Sequence, residues 1–204
     1  MNFINQLVET VQNAKAARKI KKWKLAGSPV PTPHPVKQLA IKEYQLLSGC
    51  NILIETGTYK GDMVAAQRKN FSHVYSIELS TKLWADAVKR FESFDNITIL
   101  QGDSGSVLKD IIKILKEPAV FWLDGHYSAG ETAKGDKECP IFEELDCILI
   151  NNNFKHVLLI DDARCFNGQG DYPTIEKLTE YIKSKNNQYQ LEVKDDIIRY
   201  TIPA

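Results

Sequence analysis

The chain has 204 residues, of which 43% are hydrophobic and 25% are charged, values that are ordinary for one globular domain. Its 26 basic and 26 acidic residues cancel, which excludes a global field that would favour nucleic acid or membrane. No apolar run is long enough to cross a bilayer, and the N-terminus lacks the hydrophobic core of a secretory signal. Four cysteines without a C-x-x-C pair favour reduced thiols, so we expect a cytoplasmic protein.

Residues 1–35 differ in composition from the rest and are predicted to form a separate N-terminal unit. Residues 2–26 carry apolar side chains at helical spacing, which predicts an amphipathic helix. Its second half, residues 15–24, contains six basic residues and no acidic one. We interpret it as a solvated helix face or a dock for a partner domain or an anionic membrane; nucleic acid is less favoured. The proline-rich stretch 27–35 ends the helix and is expected to form a hinge or strap.

From residue 36 onward, short apolar segments alternate with helical patterns. The predicted strands are residues 51–55, 73–79, 97–103, 119–125 and 156–162. The predicted helices are residues 36–48, 62–69, 81–91, 107–116, 140–149 and 173–183, and the chain closes with a predicted hairpin over 189–196 and 197–203. Continuous apolar strands between helices indicate a parallel sheet buried on both faces. We therefore predict for residues 36–204 a doubly wound three-layer α/β sandwich, with a mostly parallel seven-stranded sheet and a C-terminal antiparallel β-hairpin.

The first predicted strand ends in an acid, Glu55, that is followed by a glycine-containing turn. In doubly wound sheets, ligands bind outside the carboxyl ends of the strands, so the loop 56–61 is expected to form a pocket floor. A dinucleotide site requires G-x-G-x-x-G, whereas here Tyr59 separates Gly57 from Gly61. The Glu55 carboxylate would repel a pyrophosphate but attract an ammonium or a sulfonium. Because S-adenosylmethionine carries both of these cations and no phosphate, Glu55 favours it over NAD.

The second and third predicted strands also end in acids. Glu78 is placed to accept hydrogen bonds from both ribose hydroxyls of a nucleoside. After Gly102, Asp103 can accept from the exocyclic amine of adenine, and Ser104 can donate to a ring nitrogen. The alternative for each acid is a helix N-cap or a solvated strand end. Acids at the ends of three consecutive strands favour the binding interpretation.

These residues, in this order and with the final hairpin, resemble the class I S-adenosylmethionine-dependent methyltransferases over residues 36–203. The run E-T-G-T-Y-K-G is similar to the glycine loop of the catechol and caffeoyl-CoA O-methyltransferases, although Tyr59 stands where the commoner loop has its middle glycine. The resemblance implies a Rossmann-like fold and S-adenosylmethionine as cofactor. The residues that would bind it are Glu55, Gly57, Thr58, Tyr59, Gly61, Glu78, Leu79, Gly102, Asp103, Ser104 and Asp124.

The fourth and fifth predicted strands end in Asp124 and in the pair Asp161 and Asp162. Carboxylates gathered at one rim repel each other unless a cation is present, and oxygen ligands suit Mg²⁺. The resemblance to O-methyltransferases, including macrolide-sugar enzymes, implies that these three aspartates hold magnesium. The metal would bind the acceptor hydroxyl, lower its pKa and align it for in-line attack. The alternative is that Asp124 receives the methionine ammonium while Asp161 and Asp162 cap the next loop.

Catechol methyltransferases have a lysine base just beyond the first metal aspartate, but this chain has Gly125, His126 and Tyr127 there. His126 is therefore the candidate general base, with Tyr127 as the alternative. The catalytic candidates by this resemblance are His126, Asp124 and Asp161. Arg164, after the fifth strand, is expected to pair with a nearby acid or, less favoured, to reach an anionic group of the acceptor.

The segment that starts at His126 is long, polar and glycine-containing, as expected for an acceptor-binding lid. Its hydroxyls and charges suit a polyol such as a sugar, at Ser128, Thr132, Lys134 and Glu143. The L-D-G-H-Y-S, T-A-K-G and C-P-I runs also look like methyltransferase domains of glycan-modifying systems. We therefore predict a Mg²⁺-assisted O-methyltransferase for a sugar or glycan hydroxyl. The alternatives are methylation of nucleic acid or protein, and a non-catalytic adenosyl-binding module.

Overall fold

A computed structural model describes residues 3–125, 139–150 and 153–203 of the chain. Within these residues the α-helices are α1 Phe3–Leu25, α2 His34–Ser48, α3 Asp62–Gln67, α4 Thr81–Phe91, α5 Ser104–Ile114, α6 Ile141–Ile148 and α7 Ile175–Lys185. The strands are β1 Ile52–Thr56, β2 His73–Glu78, β3 Ile97–Gln101, β4 Ala119–Leu123, β5 Val157–Ile160, β6 Gln190–Lys194 and β7 Ile197–Thr201. A short 3₁₀ helix, Ala163–Cys165, follows β5.

The seven strands form one sheet in the order β3-β2-β1-β4-β5-β7-β6. The first five strands of this order are parallel, and the hairpin of β6 and β7 joins antiparallel to β5. The order reverses at β1 and β4, so the switch point where such folds bind ligands lies between these two strands. The predicted fold class is confirmed.

The sheet is buried on both faces, and β4 shows how the sequence produces this. Phe121 and Leu123 pack into the core beneath α5, α6 and α7, whereas Val120 and Trp122 pack into the core beneath α2 and α3. Successive side chains of a strand point to opposite faces, so a fully apolar strand needs a helical layer on each side. Each large apolar side chain buried in this way contributes about 1.5–3 kcal/mol.

Helix boundaries differ from the predictions where a side chain caps the helix. The α5 helix begins at Ser104 and not at residue 107, because the Asp103 carboxylate accepts a hydrogen bond from the Ser106 amide at 3.1 Å. The α7 helix begins at Ile175, after Thr174, whose hydroxyl accepts from the Lys177 amide at 3.2 Å. In both helices the capping side chain, and not the spacing of apolar residues, decides where the first turn begins.

One hydrogen bond within the N-terminal segment closes the end of α1 onto the proline-rich stretch, and another attaches that stretch to the rest of the fold. The Trp23 indole is buried and donates to the Pro29 carbonyl at 2.7 Å. The Thr32 hydroxyl donates to the Asp195 carbonyl, in the turn of the β6–β7 hairpin, at 2.8 Å. The six basic side chains of residues 15–24 are exposed. Their role as a docking surface and the division of the chain at residue 35 stay predictions, and none of the described helices is long and apolar enough to cross a membrane.

Candidate active site

The carboxyl ends of β1, β4 and β5 meet at one rim of the sheet. Thr56 lies opposite Leu123, and Leu123 lies opposite Ile160, so the residues that follow these strands are neighbours. The Asp124 amide donates to the Thr56 carbonyl at 3.2 Å, and the Asp161 amide donates to the Leu123 carbonyl at 3.0 Å. The sheet thus brings together the acids at the ends of its central strands.

The loop after β1 has a backbone that requires glycine at its start. Gly57 has a φ of +86°, and a Cβ built there would lie less than 3.0 Å from the Asp124 carbonyl oxygen. Gly61 has a φ of +75°, and a Cβ there would collide with the Phe91 ring. These glycines let the loop pack directly on the β4 end and on α4.

Tyr59, which departs from the commoner loop pattern, also adopts a left-handed conformation with a φ of +49°. Its amide donates to Glu78 Oε2 at 2.8 Å, and the Ser80 amide donates to Glu78 Oε1 at 2.9 Å. The Glu78 carboxylate therefore fixes the glycine loop to the start of α4. Leu79, the other candidate in this turn, is half-buried. Binding of ribose by Glu78 stays a prediction.

The Glu55 carboxyl is buried beneath the loop, with only 2% of the residue exposed. It accepts a hydrogen bond from Ser76 Oγ at 2.5 Å, and Ser76 Oγ lies 2.6 Å from the Thr58 hydroxyl. Burial raises the pKa of Glu55 to about 8; the Ser76 hydrogen bond opposes this shift and the nearby Glu78 adds to it. Glu55 is therefore mostly protonated at neutral pH, and a cation bound beside it would favour its ionised form.

The turn after β3 is tied to α6 through a second buried carboxyl, Glu144. Ser104 Oγ donates to Glu144 Oε1 at 2.6 Å. Burial raises the pKa of Glu144 to about 7, although hydrogen bonds from Ser104 and Thr56 oppose the shift. The Ser104 hydroxyl thus donates its proton to another side chain of the protein. Asp103 acts as the N-cap of α5, as the alternative interpretation of this acid expected. Adenine recognition by Gly102, Asp103 and Ser104 stays a prediction.

A lysine from α2 lies among the aspartates that follow β5. Lys37 Nζ donates to Asp161 Oδ2 in a short contact and to Asp162 Oδ1 at 3.2 Å. The other Asp161 oxygen accepts from the Asp162 amide at 2.8 Å. The Asp161 side chain is 1% exposed and the Lys37 side chain is 14% exposed. This is a buried ion pair in which both oxygens of Asp161 are hydrogen-bonded.

Arg164 gives the cluster a second cation. Its Nη1 lies 2.8 Å from Asp162 Oδ1 and also contacts Asp196 Oδ2 in the β6–β7 turn. The Arg164 amide donates to Asp196 Oδ1 at 2.9 Å. The expectation that Arg164 pairs with local acids is confirmed.

The ionisation of this cluster follows from burial and from Lys37. Burial raises the pKa of Asp161 to about 6, although the Lys37 ammonium holds it lower than burial alone would. Burial also raises the pKa of Asp124 well above its usual value, and the charge of Asp161 adds to that shift. Burial alone would lower the pKa of Lys37, but Asp161, Asp124 and Asp162 together raise it above its usual value. Lys37 is therefore a cation at neutral pH.

The residues of this rim, as arranged, fit an ammonium and not a metal ion. Their carboxylate oxygens are of the kind that Mg²⁺ prefers, but Lys37 is bonded to oxygens of both Asp161 and Asp162. A cation added here would face the ammonium, and two like unit charges 4 Å apart cost about 4 kcal/mol at an effective dielectric constant of 20. Among the described residues, no group of three or more His, Cys, Asp or Glu side chains is arranged to hold a metal.

Comparison with known proteins identifies the fold. No protein-family model and no curated protein matches the chain in sequence. Solved structures do match: the O-methyltransferase from Bacillus cereus in complex with SAH is 14% identical with a TM-score of 0.62, over 93% of this chain and 91% of that one. The SAM-bound O-methyltransferase TomG from Streptomyces achromogenes, of tomaymycin synthesis, is 14% identical with a TM-score of 0.61, over 93% and 87%. SAH-bound methyltransferase PaMTH1 from Podospora anserina is 13% identical with a TM-score of 0.58, over 100% and 98%.

The chain has a Rossmann-like methyltransferase fold. Two residues of its candidate site, Lys37 and Glu144, were missed by sequence reasoning although a signal for each was present. Lys37 precedes the buried Ala40 and Ile41 by three and four positions, and so lies on the buried face of α2. Glu144 lies on the same face of α6 as the buried Ile141 and Ile148. A charged residue at an apolar position of a helix was the signal in both cases.

Part of the predicted site of this methyltransferase fold lies outside the described residues. His126, Tyr127, Ser128, Thr132 and Lys134 belong to that part, and their predicted roles stay predictions. Glu143 is described, in the first turn of α6.

Proposed function

We propose that the chain is an S-adenosylmethionine-dependent O-methyltransferase. The observation that carries this proposal is the rim itself, where the loop of Gly57 and Gly61 joins the acids Glu55, Glu78 and Asp124 at the switch point of the sheet. The similar solved proteins that hold SAH or SAM support the choice of methyl donor. A buried carboxyl beneath the glycine loop suits a cationic donor and does not suit a pyrophosphate.

The proposed acceptor is a hydroxyl of a sugar or glycan. It is supported by the polar residues predicted for the lid, which suit hydroxyl groups better than a flat aromatic ring. In the reaction the acceptor oxygen forms a bond to the donor methyl carbon as the carbon–sulfur bond breaks, which leaves SAH. The acceptor proton passes to His126, the candidate base. No step here depends on magnesium, because the rim as arranged holds the Lys37 ammonium between Asp161 and Asp162.

Binding of the donor tests the proposal most directly. We expect S-adenosylhomocysteine (SAH) to bind in isothermal titration calorimetry and NAD to give no heat. Glu78→Ala should weaken SAH binding about 10- to 100-fold, because one charge-assisted hydrogen bond contributes about 1.5–3 kcal/mol and the same carboxylate fixes the Tyr59 amide. Glu117→Ala, which removes an acid before the amino end of β4, is the control and should leave SAH binding unchanged. NAD binding in place of SAH would overturn the proposal.

The role of His126 is tested by kinetics with a glycan acceptor. His126→Ala should lower kcat about 10²- to 10⁴-fold, the usual contribution of a general base, with no change in the Kd of SAH. Tyr127→Phe separates the two candidates, since it should keep most of the activity if His126 is the base. A variant Tyr127→Phe that loses as much kcat as His126→Ala would move the role to the tyrosine or to both residues.

A further inference from the structure

We propose that Lys37 is the resident cation of the acceptor site and that methyl transfer by this chain requires no divalent metal. The inference rests on the proposed function and goes beyond it, because it concerns how the carboxylates that follow β4 and β5 are neutralised. Lys37 contacts the carboxylates of Asp161 and Asp162 and positions them.

The geometry places the ammonium where a bridging metal was predicted. Lys37 Nζ contacts one oxygen of Asp161 and one of Asp162, and Asp124 lies near enough to interact electrostatically with it. A divalent ion bound by the three aspartates would need these oxygens and would have to expel Lys37 from a nearly buried position. The site therefore already contains the positive charge that its acids require.

Neither the position of Lys37 in its helix nor its burial favours a charged side chain there. It lies in the first turn of α2, where the helix dipole disfavours a cation. Its side chain is mostly buried, which also costs free energy for a charged group. The carboxylates after β4 and β5 offset both costs, so the lysine and the aspartates form one unit although 124 positions separate Lys37 from Asp161.

The ammonium also retains a donor for chemistry. Lysine has three N–H donors, and in the described part of the chain its hydrogen bonds are to Asp161 and Asp162. The third donor is available to the acceptor hydroxyl, and an ammonium beside that oxygen lowers its pKa, which favours passage of its proton to the base before the oxygen attacks the methyl carbon. Lys37 would thus orient both the carboxylates and the acceptor.

Metal binding provides a test that is independent of activity. Mn²⁺ titrated into the whole chain, with free Mn²⁺ followed by electron paramagnetic resonance, should show no specific binding by the wild type. Lys37→Met leaves three aspartates without their ammonium and should bind Mn²⁺ at least about 10-fold more tightly, since opposite charges attract strongly in a buried site. Lys37→Arg keeps the charge and should behave as the wild type, as should Lys42→Met, which changes an exposed lysine of the same helix.

The wild type alone decides the question if Lys37→Met does not fold. Specific Mn²⁺ binding by the wild type that is lost in Asp161→Asn would overturn the inference, because it would show that the metal displaces the lysine.

Measurements of the methyl-transfer rate separate this inference from the proposed function. EDTA-treated wild type should retain its full rate on a glycan acceptor. Lys37→Met should lose at least about 10²-fold in kcat with the Kd of SAH unchanged, in the range expected when a preorganised electrostatic group is removed, and Lys37→Arg should recover part of it. SAH binding with a Mg²⁺-dependent rate would overturn the inference and leave the proposed function intact. Failure to bind SAH would overturn the proposed function itself.

Discussion

Gly57→Ala should be among the most damaging single substitutions in this chain, with a loss of about 2–5 kcal/mol in the free energy of unfolding. A left-handed backbone costs an alanine about 1–2 kcal/mol, and Gly57 has a φ of +86°. The added Cβ also meets the Asp124 carbonyl oxygen, which is backbone and cannot rotate away, and overpacking of this kind costs about 1–3 kcal/mol. Urea unfolding measures the loss as a shift in midpoint at constant slope.

Gly27→Ala is a matched control for this prediction. Gly27 has a φ of +84°, close to that of Gly57, but a Cβ there would meet nothing within 4 Å. It should therefore cost only the backbone term of about 1–2 kcal/mol. Gly57→Ala should also weaken SAH binding, because it moves the loop from the β4 end, whereas Gly27→Ala should not. Equal destabilisation by both substitutions would mean that the Asp124 backbone shifts to make room for the added Cβ at little cost in free energy.

Glu55→Gln should make the protein more stable, and increasingly so as the pH rises from about 5 to 8. The pKa of Glu55 is raised to about 8 in the folded state and is about 4.3 in an unfolded chain. Between these values the folded state keeps a proton that the unfolded state releases, so the wild type loses up to about 1.4 kcal/mol per pH unit from this group. Glutamine carries no titrating proton and avoids that loss.

The measurement is the difference in unfolding free energy between Glu55→Gln and the wild type at several pH values. Taking the difference cancels the contributions of other buried acids, such as Glu144 and Asp161. It should grow from pH 5 to pH 8 and then level off. A difference that does not change with pH would show that Glu55 is ionised in the folded protein at neutral pH.

The same substitution should weaken the binding of S-adenosylmethionine about 10- to 100-fold, because a neutral amide cannot attract the ammonium and the sulfonium as a carboxylate does. In the wild type at pH 7, binding should release a proton from Glu55, so calorimetry in two buffers of different ionisation enthalpy should give different heats. The Glu55→Gln variant should bind with the same heat in both buffers. Glu55 would then lower the free energy of unfolding of the free protein while it strengthens the binding of S-adenosylmethionine.

The architecture was predictable because its signals are local and repeated. The run A-V-F-W-L is short, rich in aromatic residues and bounded by Pro118, which is typical of a strand covered on both faces, and β4 is such a strand. Boundaries were less predictable where a cap decides them: Asp103 was interpreted as a ligand-binding acid, and it also starts α5 three residues before the apolar pattern begins.

The candidate site was predictable in its acids and not in its cation. Asp124 and Asp161 follow strands, and parallel strands bring their carboxyl ends together whatever the rest of the chain does. The partner of Asp161 is Lys37, from a helix that precedes the whole sheet in sequence. No spacing rule relates two positions so distant, because their contact is set by how α2 packs on the sheet. A magnesium ion was therefore inferred where the fold places an ammonium.

The contacts at and near the rim join segments that are far apart in the sequence. Thr32 and Asp195 are separated by 163 positions, and Lys37 and Asp161 by 124. Closing loops of this length costs conformational entropy that shorter-range contacts must already have offset. The strands alone would gather the aspartates, and Arg164 pairs with Asp162, but Asp161 gains its ammonium from Lys37 when residues 29–37 dock beside the hairpin. We therefore expect the contact of Lys37 with Asp161 to form late in folding, after the sheet has brought Asp161 to the rim.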